Sequence, residues 1–141
     1  MDAEFEKVEN KKDSSFSVIS YTNPYFAAPL HIHPEFELIL IEEGEGLSFV
    51  GNSVNKLHKG DFMLIGSNLP HLWLSGDEYY EKGTTLKSRS VYCQFKDNIF
   101  PQNIYEIPEL ESIYLLLKKS ENGIFFSGGN IEELKNIFRS M

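Results

Sequence analysis

A single cysteine, Cys93, stands in the 141 residues, so an intrachain disulfide framework and a multi-thiolate zinc site are both excluded. That usage fits a reducing compartment. Basic residues are scarce as well: 13 Lys+Arg face 21 Asp+Glu, a formal net charge of -8. A compact domain with that balance repels a phosphate backbone, and no basic cluster overrules it. The chain itself is therefore not expected to bind nucleic acid. No apolar run approaches the roughly 20 residues that span a bilayer. The N-terminus, MDAEFEKVENKKD, lacks the apolar core of a secretory signal. The expectation is a cytoplasmic protein with no membrane contact.

Material for a core is present, with 41% hydrophobic residues, and the 13% aromatic share favours β structure. Three zones follow one another. Residues 1–13 are polar and expected to fray or lie at an edge. Residues 14–106 read as short β-type runs: FSVISY, FELILIEE, LSFVG, DFMLIG, HLWL and the alternating LKSRSVYCQF, separated by TNP, EEGEG, GNS, HKGD, GSNLP and SGDEYYEKG. Regular short strands without intervening helices predict an antiparallel sandwich or barrel.

Beyond Pro101 the period changes. Leu110, Ile113, Tyr114 and Leu117 share one helical face, with Pro108 suited to the first turn and Gly123 to the end. A second helix is expected to open at Asn130, with Glu133 as a capping-box partner. Its stripe, Ile131, Leu134, Ile137, Phe138 and Met141, still runs at the last residue. That reads as a chain cut from something longer, against the simpler account of a terminal helix that ends there. The stripe also exceeds what one short helix buries on its own barrel, so residues 107–141 are expected to form a homodimer contact.

The chemistry concentrates in two segments. In His31-Ile32-His33-Pro34-Glu35-Phe36-Glu37, strand alternation puts His31, His33 and Glu37 on one face. Glu35 shares that parity, and Pro34 disturbs the pleat, so spacing leaves open which carboxylate points inward. Two imidazoles and a carboxylate are a donor set that a Zn, Fe, Mn or Ni ion accepts. The second segment, Gly60 to Trp73, is a strand and turn that deliver a third imidazole, His71.

Together these segments resemble the two cupin motifs, G(X)5HXH(X)3,4E(X)6G and G(X)5PXG(X)2H(X)3N. From His31 through Gly44 the first motif matches position by position, with Tyr25 where its leading glycine would fall. In the second, Gly60 and His71 match, whereas Gly66, Asn68 and Ser75 replace its proline, second glycine and asparagine. Over roughly residues 14–141 the chain further resembles the N-terminal sensing domain of AraC-type transcription regulators. In that family a cupin barrel precedes a helical dimerisation segment and two DNA-binding helix-turn-helix units.

The resemblance implies a mainly β fold, a cupin double-stranded β-helix with two C-terminal α-helices. It implies a ligand-sensing function, with DNA reached only through a C-terminal part absent from this chain. It also implies that His31, His33, Glu37 and His71 can ligate a metal. The expected effector pocket comprises those residues with Ile39, Phe62 and Trp73, and Ile41 is a further inward candidate. The expected dimer contact is Ile131, Leu134, Ile137 and Phe138. The runner-up function is a small metal-dependent cupin enzyme, an oxygenase or isomerase. Blander readings attach to other residues: His58, Glu42, Glu43 and Glu45 solvated, Cys93 a small buried hydrophobe, Tyr79-Tyr80 in a loop.

Overall fold

Period-two alternation builds the core. The structure, a computed structural model, describes residues 2–8 and 15–141, so part of the 1–13 segment lies outside the described residues. Ten strands, β1 (Glu4–Phe5), β2 (Phe16–Asn23), β3 (His31–Ile32), β4 (Phe36–Glu43), β5 (Gly46–Val50), β6 (Ser53–Leu57), β7 (Phe62–Ile65), β8 (His71–Ser75), β9 (Ser88–Phe95) and β10 (Ile124–Phe125), form two sheets. Their orders are β1-β3-β8-β5-β6 and β10-β7-β4-β9-β2. The fold is mainly β, as the run-and-turn pattern implied.

Two apolar layers follow from strand parity. Ile39, Ile41, Met63 and Ile65 point between the sheets, where they meet Phe26, Val50, Leu57 and Trp73 from the rest of the chain. Their neighbours Leu40, Phe62 and Cys93 point outward and are covered by Phe138, with Phe126 and Ile131 packed alongside. Phe62 therefore differs from its expected place in the pocket. Its strand partner is Leu40, an outward residue, and its ring packs on Phe126 and Phe138 at centroid distances of 5.3 and 5.4 Å. Two parities were available to DFMLIG, and Met63 takes the inner one.

After β9 the chain leaves the barrel through short 3-10 turns to α1 (Glu111–Lys119), returns to lay β10 antiparallel against β7, and ends in α2 (Ile131–Arg139). Asn130 makes no side-chain cap, so the expected capping box does not form; Leu134 N–H bonds the Asn130 carbonyl instead. The helix folds back onto its own barrel. Phe138, expected at a dimer contact, is only 2% exposed. Arg139 forks onto Glu42 of β4 with contacts of 2.7 to 3.1 Å, which also removes Glu42 from the solvated hairpin end expected for it. Leu134, Ile137 and Met141 remain exposed.

Candidate functional site

Strand register brings the imidazoles together. His31 of β3 and His71 of β8 are direct antiparallel partners, and such facing side chains on one sheet surface meet; their rings lie 4.1 Å apart. His33 follows β3 at centroid distances of 5.6 and 5.0 Å from the other two rings. The turn that delivers His71 is tied to it: Asn68 N–H donates to the His33 carbonyl at 2.8 Å, and Ser67 Oγ donates to the Pro34 carbonyl at 2.5 Å. Asn68 stands at the cupin motif's second glycine and takes φ 59°, a left-handed conformation that asparagine tolerates best after glycine. At the motif's proline, Gly66 is required for a different reason. A side chain there would strike the Ser120 carbonyl.

The opposite sheet contributes the carboxylate. Glu37 of β4 is 4% exposed, and its two oxygens lie 3.6 Å from His33 Nε2 and His71 Nε2. Gln94 of β9, its register partner, donates to Glu37 Oε1 at 2.8 Å. Glu37 is therefore the carboxylate that meets the Nε2 atoms. Glu35 lies behind His33, 3.8 Å from Nδ1. The polar segment before β2 adds one further group that no sequence signal marked: Glu6, whose Oε2 is 3.7 Å from His33 Nε2 and 3.9 Å from His31 Nε2.

Hydrogen bonding fixes which nitrogen of each ring is free. The Nδ1 atoms of His31, His33 and His71 lie 2.8, 3.0 and 2.8 Å from the carbonyls of Pro29, Glu35 and Leu69. A carbonyl only accepts, so each Nδ1 carries the proton. Each Nε2 then presents a bare lone pair in the neutral ring, and the ligand atoms of the three residues all lie within 4.8 Å of one another. The Nε2 atoms of His33 and His71 are buried without a hydrogen-bond partner among the described residues. Leaving such groups unmatched costs about 1–3 kcal/mol each. An electrophile at the convergence point removes that penalty, and Nδ1–H donation to carbonyls is the arrangement that orients metal-ligating histidines.

Charge states follow the same geometry. Burial pushes His71 down to about 4, more than Glu37 raises it, so the ring is neutral at pH 7. Burial also depresses His33, but the facing Glu37 carboxylate outweighs it and the net shift is upward. Glu37 is opposed by burial yet held below the usual carboxylate range by His33, His71 and Gln94. An anionic carboxylate and three imidazoles with aligned Nε2 atoms are a donor set that fits Zn, Fe, Mn or Ni.

A cavity of about 190 Å³ opens on this cluster, lined by His31, Glu37, Ile39, Trp73 and, beyond the expected set, Tyr21, Phe26, Ser90, Tyr92 and Gln94. Ser90, Tyr92 and Gln94 share one parity of the alternating β9 run, a signal that could have marked them. A larger groove of about 680 Å³ lies outside the barrel between Phe36, Phe100, Tyr105 and Tyr114. It contains none of the imidazoles, so the smaller cavity is the one joined to the chemistry. Cys93 faces the outer layer, its thiol pushed up to about 11 by burial, and His58 is exposed.

The AraC-like ligand binding domain family matches residues 14–94, more than half of the chain. The chain belongs to that family. No curated protein sequence matches this AraC-like domain. Among solved structures, ToxT from Vibrio cholerae is similar at 11% identity, covering 89% of this chain and 48% of the ToxT chain with a TM-score of 0.53. ToxT from Vibrio cholerae O395 bound to (E)-4-(8-methylnaphthalen-1-yl)but-3-enoic acid gives 12% identity, 90% and 48% coverage and a TM-score of 0.52. The AraC-like domain thus spans about half of the ToxT chain, and the likeness is one of fold. A cupin 2 conserved barrel domain protein from Rhodopseudomonas palustris is similar at 12% identity over 74% of each chain, with a TM-score of 0.49. Among the described residues no helix is long and apolar enough to cross a membrane.

Proposed function

We propose that this AraC-like domain senses a small molecule in the barrel cavity through a divalent transition metal held by His31, His33, His71 and Glu37. The observation that carries the reading is the convergence of three Nε2 atoms, each ring backed by an Nδ1–H bond to a carbonyl. When bound, such an ion acts as a Lewis acid toward an oxygen donor. The chain's own residues shape the occupant. Tyr21, Phe26, Trp73 and Tyr92 offer aromatic walls, and Ser90 and Gln94 offer polar contacts. At about 190 Å³ the cavity is smaller than the ~300–1,000 Å³ of drug-sized sites. The effector class is therefore a small compound with a carboxylate or hydroxyl end and a short apolar body, and the acid bound by ToxT supports a carboxylate in that role.

The output is a shift in subunit arrangement. Leu134 and Ile137 of α2, with Met141 just after it, leave an apolar face exposed, and Leu115 and Leu116 of α1 are exposed as well; a second copy of the chain covers the α2 face in this reading. The site residues 14–106 then form the sensing barrel, 107–141 the dimerisation segment, and DNA is contacted in the cytoplasm through a part outside this chain. Thermal-shift screening of zinc-loaded protein against small carboxylic and hydroxy acids tests the sensor. A ligand at 100 times its Kd stabilises by about 2.7 kcal/mol. Stabilisation of wild type but not of Ile39→Trp, which fills the cavity, is expected. Equal stabilisation of both, or none in wild type, contradicts it.

A further inference from the structure

Strand β1 pairs in parallel with β3, Glu4 opposite His31 and Phe5 opposite Ile32. Backbone bonds from Glu4 N–H to the Leu30 carbonyl (2.8 Å) and Glu6 N–H to the Ile32 carbonyl (2.9 Å) fix the register. This pairing carries Glu6 to the histidine cluster. We propose that Glu6 is a second carboxylate ligand of the barrel metal, giving a three-histidine, two-carboxylate centre that fastens the N-terminal strand to the barrel. The inference rests on the metal reading above and extends it to a residue outside the cupin motifs.

Three observations carry it. Although 43% of the Glu6 side chain is exposed, its Oε2 atom is turned inward, fully covered and without a hydrogen-bond partner among the described residues. A carboxylate oxygen buried in that way is costly unless a cation or donor meets it. Its distances of 3.7 and 3.9 Å to His33 Nε2 and His31 Nε2 match the 3.6 Å that separates Glu37 from His33 and His71. Two atoms each bonded to one ion at about 2.0–2.2 Å lie at most about 4.4 Å apart, so Glu6 approaches from the His31 and His33 side, as Glu37 does from the His33 and His71 side, within reach of a shared ion. Charge agrees too: two carboxylates around a divalent ion leave the centre neutral.

Cobalt(II) titration of chelator-stripped protein tests the assignment, read by d–d absorption and by fluorescence of Trp73, the only tryptophan, whose ring lies 5.8 Å from His71. Glu6→Gln is expected to weaken cobalt binding at least about tenfold and to intensify the d–d bands, because intensity rises as the coordination number falls. Glu4→Gln, two residues earlier on β1 and exposed, should match wild type. Hydrogen exchange supplies a readout independent of affinity: zinc should slow the Glu4 and Glu6 amides in wild type and not in Glu6→Gln. Unchanged cobalt affinity and spectrum in Glu6→Gln overturn the role of Glu6 while leaving the histidine site standing. Wild-type protein that binds no cobalt overturns both.

Discussion

Replacing Phe138 by alanine removes the main apolar anchor of α2. The ring is 2% exposed and packs on Phe62 within the outer layer of Leu40 and Cys93. A buried phenylalanine withdraws about 150–250 Å² from water, which at about 25 cal/mol per Å² corresponds to roughly 4–6 kcal/mol. Compactness of the unfolded chain lowers that by about 10–40%, in line with the ~3–5 kcal/mol of measured Phe→Ala changes in cores. For a domain of this size about 3–5 °C of Tm accompanies each kcal/mol, so Phe138→Ala should lose roughly 10–20 °C in a calorimetric scan. Ile137, one position away and 55% exposed, provides the contrast. Ile137→Ala in the dissociated protein should stay within about 0.5 kcal/mol of wild type. A Phe138→Ala variant within about 2 °C of wild type would refute the docking of α2 on its own barrel.

Other expectations follow from exposure and titration. Leu134→Glu and Ile137→Glu should convert a wild-type dimer into monomer by sedimentation at micromolar concentration; a monomeric wild type contradicts the proposed contact. Glu42, held low by Arg139, adds stability above the unfolded carboxylate pKa of about 4.3 that is lost as pH falls through its lower folded value. Because Arg139 is over a third exposed, the effect is about 1 kcal/mol or less, and the denaturation difference between wild type and Glu42→Gln should vanish at high salt. In metal-free protein, His71 at about 4 leaves the unfolded state binding more protons between pH 6.5 and 4. Stability then falls on acidification, by up to about 3 kcal/mol. His33, shifted upward, contributes below pH 6.5 and loses that contribution as pH rises through its folded value. Metal-free stability should therefore peak near pH 6.5, and His71→Asn should flatten the acid side; wild-type stability that stays level or increases as pH falls from 6.5 to 4 contradicts the burial of a neutral His71.

Legibility in the sequence tracked the locality of the cause. Alternating runs such as FELILIEE carry their own burial pattern, and each long one became a strand. SVNKL carried none: β6 is the edge of its sheet, with Ser53 to Lys56 exposed and only Leu57 buried, so no apolar period marked it. The parity of DFMLIG depended on what covers each face, and the cover for Phe62 arrives from Phe126 and Phe138, more than sixty residues later. The Glu42–Arg139 fork likewise joins positions 97 apart. At the site, the histidines were legible because one motif spacing places them. Which of Glu35 and Glu37 faces the Nε2 atoms depended on how the chain recovers its pleat after Pro34. Glu6 depended on a strand pairing of two residues, for which a polar segment gives no warning.

Elemental analysis of protein purified without chelator tests the central claim most directly, because the three Nε2 atoms either hold an ion or do not. The account predicts about one equivalent of divalent transition metal in wild type and none in folded His33→Ala. Equal metal in both proteins, or a wild type that carries none and takes up no added zinc, contradicts it.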